Sequence, residues 1–276
     1  MPPETSPHER SRHLPASRRA ALLEHLGTTG QLTVAQIAAT FDVSIDTIRR
    51  DLDQLDADGL LVRTHGGAVS MASAPRSDRG MDVRMHMQTA EKEAIAELAA
   101  GLIADGSVIM LNGGTTTLAV ARKLHDLREL TVATNNLRIP AEIPSKALRD
   151  LYVFGGAVRT VGQTTTGPVS FQLSPSSDRI EVQADLAIIA VGAVSTTGYS
   201  TSNLGDAGMM AEMMAHASRV AVLADSTKCG RRLFAQIAEL GRADWFITDR
   251  APAPDLADAL AAAEVKVLTP PTRPGG

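Results

Sequence analysis

The sequence predicts an α/β protein in two folded parts, a small helical unit closed by a hairpin and a larger unit on a parallel sheet. Ser17 to Ser70 holds three short amphipathic stretches followed by a hairpin signal around paired glycines. Beyond Ala90, short runs rich in β-branched residues alternate with helical stretches, the pattern of strands covered on both faces by crossover helices. Between these parts, Met71 to Thr89 is polar and follows neither period. The expected organisation is a disordered lead over 1–16, a first domain over 17–70, a linker over 71–89, an α/β domain over 90–268 and a loose tail over 269–276.

Composition narrows the function classes. The chain has 276 residues, with 27 Lys plus Arg against 31 Asp plus Glu, a formal net charge of −4. That balance excludes coating of nucleic acid by bulk charge. One Trp, two Tyr and five Phe are too few for a surface that stacks single-stranded bases. A single cysteine, Cys229, cannot form an intramolecular disulfide. No apolar run approaches the roughly 20 residues of a membrane span, and the first residues lack the apolar core of a signal peptide. A cytoplasmic protein is expected.

In the first part, Ser17 to Gly27 places Leu22, Leu23 and Leu26 on one face, and Thr33 caps a second helix carrying Val34, Ile37, Ala38 and Phe41. After Asp42 to Ile45 a third helix begins, capped by Ser44, with Ile48, Leu52 and Leu55 on a buried stripe and Gly59 as its stop. At 100° per residue, Asp46, Arg50 and Asp53 lie opposite that stripe, with Thr47 and Arg49 on its flanks. Leu61 to His65, then Gly66-Gly67, then Ala68 to Ser70 forms a hairpin whose two-glycine turn supplies positive φ. Three helices and a hairpin make a winged helix-turn-helix.

Such a third helix enters the DNA major groove by its N-terminal half, where Arg49 and Arg50 reach guanine edges or phosphates and Thr47 a thymine methyl. Ser44 stands at the same edge, and Arg63 and His65 on the wing face backbone or minor groove. The competing possibility is a solvated charge run whose arginines pair with Asp46 and Asp53. Ser17 to Val69 holds five arginines, no lysine and seven carboxylates, which favours that alternative. Distribution favours DNA, because Asp51, Asp53, Asp56 and Asp58 crowd the second half of the helix while Arg49, Arg50, Arg63 and the Arg18-Arg19 pair lie outside it.

In the second part, Ala90 to Ala104 reads as helix. Strands are expected at Ser107 to Leu111, Leu130 to Ala133, Leu151 to Phe154, Leu186 to Val191, Arg219 to Ala224, Asp244 to Thr248 and Val265 to Leu268. Asn112-Gly113-Gly114-Thr115-Thr116-Thr117 joins the first strand to a helix. Glycines admit a ligand to the backbone, helix-start N–H groups point at it, and hydroxyls add donors. A phosphate ester suits that loop, and so does the simpler reading of a βα turn with a threonine cap. Neither a Gly-Lys-Ser/Thr loop nor GxGxxG is present, so no nucleotide cofactor is expected. Seven histidines without ligand spacing predict no metal site. Cys229 reads as a partly buried residue, and Met209, Met210, Met213 and Met214 as core or subunit contact.

Ala35-Gln36-Ile37-Ala38, Thr47-Ile48-Arg49-Arg50-Asp51-Leu52 and Arg63-Thr64-His65-Gly66-Gly67-Ala68 resemble the N-terminal signature of DeoR-type bacterial transcriptional regulators. Glu91-Lys92, the glycine-threonine loop, Thr131 to Asn136, Gly155 to Arg159, Gly167, Asp185 and Asp225 to Lys228 resemble the family's C-terminal sensor, similar in fold to ribose phosphate isomerases and CoA transferases. The resemblance implies an operator-binding repressor of a carbohydrate-utilisation operon, relieved by a phosphorylated sugar or related metabolite. It implies that Gly113, Gly114, Thr115, Thr116 and Thr117 hold the phosphate, with Asn135, Asn136, Arg159 and Lys228 at the sugar or the phosphate charge. The partners implied are double-stranded operator DNA, the phosphorylated sugar and further copies in a homodimer or homotetramer. The family pattern is departed from at Ala190 to Ala193, Asp206-Ala207, Met210 and Asn112, in the region expected to shape the pocket.

The rival class is an isomerase or CoA transferase carrying a DNA-binding head. It needs carboxylates around the substrate, and Gly192 to Asn203 holds none. No enzymatic activity is expected.

Overall fold

The computed structural model describes residues 15–29, 31–57, 60–64, 66–70, 81–171 and 180–271. The chain divides into two compact units between His86 and Met87. The expected stop at Gly59, the wing residue His65 and most of the lead and tail lie outside the described residues.

The first unit contains α1 (Pro15–Thr29), β1 (Gln31–Thr33), α2 (Val34–Phe41), α3 (Ile45–Ala57), β2 (Leu61–Thr64), β3 (Gly67–Ser70) and α4 (Met81–His86). The Thr33 side chain accepts from Gln36 N and the Gln36 side chain accepts from Thr33 N, a reciprocal capping box that starts α2. Asp42 ends it in the left-handed region, at φ 50° and ψ 51°. Ser44 Oγ then accepts from Thr47 N at 3.2 Å and starts α3, as the sequence predicts. Ile48, Leu52 and Leu55 are buried against Leu22, Leu26 and Ile37 in one core cluster.

The turn of the wing differs from expectation. Gly67 belongs to β3, opposite Thr64 on one side and Thr33 on the other, so the residues between the two strands are His65 and Gly66. Gly67 is needed for space: a Cβ there would lie 2.0 Å from the Leu32 carbonyl oxygen. The close neighbour is β1, which pairs with β3 in a three-stranded sheet of order β1-β3-β2. Three residues are too few for alternation to reveal β1 in the sequence.

The second unit runs α5 (Thr89–Ala100), β4 (Val108–Leu111), α6 (Thr115–Arg122), β5 (Leu130–Thr134), α7 (Ile139–Glu142), β6 (Leu148–Val153), β7 (Ala157–Arg159), β8 (Thr164–Thr166), β9 (Ser170–Phe171) and β10 (Ile180–Glu181). It continues with β11 (Ala184–Ala190), β12 (Ala193–Ser195), β13 (Gly198–Thr201), α8 (Leu204–Ala215), β14 (Ala217–Leu223), β15 (Ala235–Ala238), β16 (Trp245–Ile247), α9 (Pro254–Ala262) and β17 (Lys266–Leu268). The seven expected strands assemble into one parallel sheet, ordered β17-β16-β14-β11-β4-β5-β6. Central β11 is buried at every position but Asp185, as a strand covered on both faces must be. Met209, Met210, Met213 and Met214 of α8 are buried in the same cluster as β11 and β14, which makes them core. The antiparallel pairs β7/β8 and β9/β10 and the sheet β12-β13-β15 were not anticipated.

Candidate nucleic-acid interface and ligand loop

In the first unit, Arg49 and Arg50 are exposed on α3. Arg49 Nη1 lies 3.3 Å from Asp46 Oδ1, one helical turn back, with both side chains more than half exposed. A pair so exposed holds the guanidinium weakly, by about 0–1 kcal/mol, and leaves it available to a stronger anion. Ser44 Oγ and Thr47 Oγ1 are 2.9 Å apart, so both hydroxyls are engaged at the helix start. Arg63 lies on β2 opposite Ala68.

Arg18 corrects the sequence expectation. The sequence counts it among the arginines set apart from the acidic half of α3, yet its Nε lies 2.6 Å from Asp51 Oδ2 in that half and both side chains are buried. One arginine and one carboxylate therefore leave the surface charge balance together. Ile45 was overlooked: it is 46% exposed at the first position of α3. Its spacing to Ile48 and Leu52 reads as core, and nothing in pattern alone separates it from them.

In the second unit the chain proceeds from β4 to β5 and β6 on one side, while β11, β14, β16 and β17 extend the sheet on the other. The order reverses between β4 and β11, and ligands of open α/β sheets bind beyond the strand C-termini at such a point. The Gly113-Gly114 loop leaves β4 there. Asn112 clasps the crevice shut beneath it: its Nδ2 donates to Ala190 O at 2.9 Å, and Ala190 N donates to its Oδ1 at 2.8 Å. Asn112 is fully buried.

Helix α6 starts directly from this loop. Gly114 is extended, with φ 179°, and gives the helix no side-chain cap, which leaves its N-terminal amides to an external acceptor. The three threonines divide. Thr115 is half-buried at the first helical position. Thr116 Oγ1 is buried and makes no hydrogen bond among the described residues. Thr117 Oγ1 donates within the loop, where Asn112 O is at 2.7 Å and Gly114 O at 3.1 Å.

Asn135 and Asn136 follow β5, beside β4. The Nδ2 of Asn136 donates to Gly114 O at 3.1 Å and its Oδ1 accepts from Arg138 N at 3.0 Å, so this side chain braces the loop. Asn135 Nδ2 donates to Thr165 O at 2.8 Å, which fixes the amide and turns its Oδ1 the other way. That oxygen is buried without a hydrogen-bond partner among the described residues, 3.6 Å from where a Gly113 Cβ would stand. Thr164 of β8 closes over the same glycine, its methyl 2.0 Å from that position.

Arg159 pairs across the hairpin with Thr164. Its Nη1 donates to Asp206 Oδ2 in the first turn of α8, which joins β7 to that helix. Lys228 follows β14, where its Nζ lies 3.6 Å from Oδ2 of the buried Asp225. Asp225 Oδ1 also accepts from Thr227 N at 3.2 Å. Next to it, burial alone would raise the Asp249 carboxyl, but hydrogen bonds from Ser226 N and Oγ hold it below the usual carboxylate range. Of the residues expected to meet an effector, the structure thus brings Gly113, Gly114, Thr115, Thr116 and Asn135 around one loop. It gives Thr117 and Asn136 to bracing that loop, and pairs Arg159 and Lys228 with carboxylates.

Comparisons with known proteins agree in both units. Residues 18–74 match the model of the DeoR-like helix-turn-helix domain, and residues 87–250 that of the DeoR C terminal sensor domain. The chain is 31% identical to the HTH-type transcriptional repressor CsqR of Escherichia coli, over 92% of this chain and 95% of that one. It is 33% identical to the transcriptional repressor AccR of Agrobacterium fabrum, over 84% and 88%. It is 31% identical to the HTH-type transcriptional repressor GlcR of Bacillus subtilis, over 91% and 95%. Among solved structures, a ribose 5-phosphate isomerase from Plasmodium falciparum aligns over 50% of this chain at 13% identity and a TM-score of 0.34.

Proposed function

Because this chain belongs to the DeoR family of transcriptional regulators, we propose that it is a cytoplasmic repressor whose hold on operator DNA is released by a phosphorylated sugar. The head, residues 17–70, binds a half-site through α3. Arg50 and Arg49 face base edges or phosphates, Ser44 and Thr47 set the helix start against the groove, and Arg63 and His65 serve the wing. The sensor, residues 90–268, takes the phosphate at Gly113 to Thr117, with Asn136 bracing and Arg159 and Lys228 as candidate cations for the sugar or the phosphate charge.

A single observation supports the effector class. An α-helix start without a side-chain cap lies beside a buried amide oxygen, Asn135 Oδ1, that has no hydrogen-bond donor among the described residues. The helix start favours an anion, and a lone acceptor favours a hydroxyl. A phosphorylated polyol carries both. The protein works as a homodimer or larger, since a head this acidic gains affinity by engaging two half-sites. Effector binding favours the arrangement of subunits in which the heads no longer match the half-site spacing.

A gel shift on the DNA upstream of the protein's own gene, run against a panel of sugar phosphates, tests this function. A specific complex dissolved by at least one sugar phosphate is the expected result. No specific complex, or turnover of ribose 5-phosphate by the purified protein, overturns it.

A further inference from the structure

Ile45 is the first residue of α3 and 46% exposed, while Ile48, Leu52 and Leu55 of the same helix are buried. An aliphatic side chain in water is usual when scattered; this one stands at the end of the helix expected to enter DNA, where the first residues meet base edges. Its neighbours describe the partner. Ser44 and Asp46 on either side are exposed, and so is Arg49 one turn on. At 100° per residue, Ile45 and Arg49 lie about 40° apart on the helix surface. A lone apolar group flanked by a guanidinium matches the major groove, where the thymine 5-methyl is the apolar feature of the base edges and phosphates lie alongside. A protein partner would need a wider apolar patch than this one isoleucine, whose described neighbours at the start of α3 are Ser44, Asp46 and Arg49.

We propose that Ile45 is a specificity-determining residue that packs on a thymine methyl in each operator half-site. This rests on the operator-binding function proposed for the head. It assigns to Ile45, the exposed aliphatic side chain at the first position of α3, the methyl contact that the sequence pattern assigned to Thr47, which is half-buried.

Deoxyuridine substitution removes the methyl and leaves every hydrogen-bonding group of the base. The full chain and its Ile45→Ala variant are titrated against the bound upstream duplex, with each thymine of a half-site replaced in turn. One position per half-site should weaken the unaltered protein by about fourfold, as for one buried methyl group. Ile45→Ala should bind the thymine duplex more weakly and be indifferent to deoxyuridine at that position. Unchanged helical content and melting of the variant show that an exposed side chain has been removed without unfolding. Indifference of the unaltered protein at every thymine, or a full deoxyuridine penalty in Ile45→Ala, overturns the assignment while operator binding stands. Failure of the unaltered protein to bind any upstream duplex overturns the operator reading itself.

Discussion

The Arg18 guanidinium lies 2.6 Å from the Asp51 carboxylate, with both side chains buried, and joins α1 to α3 inside the DNA-binding head. Removing either residue breaks this buried ion pair. Arg18→Ala or Asp51→Ala should therefore destabilise the head by about 3–5 kcal/mol, read by urea unfolding, with operator binding lost in proportion. The apolar exchange Arg18→Met with Asp51→Leu should recover most of that stability. Single variants as stable as the unaltered chain would make the pair incidental.

Gly67 has a steric reason to be glycine. With Leu32 O at 2.0 Å from a Cβ position, Gly67→Ala must part β1 from β3. The expected loss is about 1–3 kcal/mol, as for other overpacked sites. Gly66, whose added Cβ would meet nothing within 4 Å, should accept alanine more readily on contact grounds. Equal melting of the two variants would contradict this.

Arg50 is exposed on α3, the helix proposed to enter the operator. Arg50→Ala should weaken binding and lower the slope of log affinity against log salt by about one if it contacts a phosphate. Loss of affinity with an unchanged slope and relaxed preference at one base pair would assign it to a base edge instead. Unchanged binding would remove it from the interface.

Cys229 gives a pH signature of the sensor. Burial, reinforced by the Asp225 and Asp249 carboxylates, pushes its thiol up to about 11. Only the thiolate alkylates, so labelling by iodoacetamide should be slow at pH 7.5 and rise about tenfold per pH unit toward pH 11. Denaturant should accelerate labelling at neutral pH. A rate that levels off near pH 8.5 would mean an unburied thiol.

The central strands β4, β5 and β11 were legible because strands covered on both faces are apolar along nearly their whole length, and no partner need be known to see them. The edge strands β6 and β17 were legible only by their short β-branched or aromatic runs. The loop at Gly113 to Thr117 was legible for the related reason that strand, glycines and helix follow in sequence. Its surroundings were not. Thr164 reaches Gly113 through the β7/β8 hairpin, whose three-residue strands carry no readable alternation. The division of labour between Asn135 and Asn136, identical neighbours in sequence, depends on which carbonyl each amide meets. In the head, Arg18 is buried against Asp51, and Ile45, placed by the sequence in the connection before α3, is the exposed first residue of that helix. Charge and period predict the average face of a helix, whereas tertiary neighbours decide its ends.

The central claim is that an anion at the start of α6 controls operator binding, and Thr115→Asp tests it most directly. A carboxylate at the first helical position is favourable to the helix dipole by about 0.3–1 kcal/mol, so the sensor should fold as before while repelling a phosphate. Fluorescence anisotropy on the operator should show both proteins bound alike, with the effective sugar phosphate releasing the unaltered chain and leaving Thr115→Asp in place. Release of Thr115→Asp at the same sugar phosphate concentration would contradict the account.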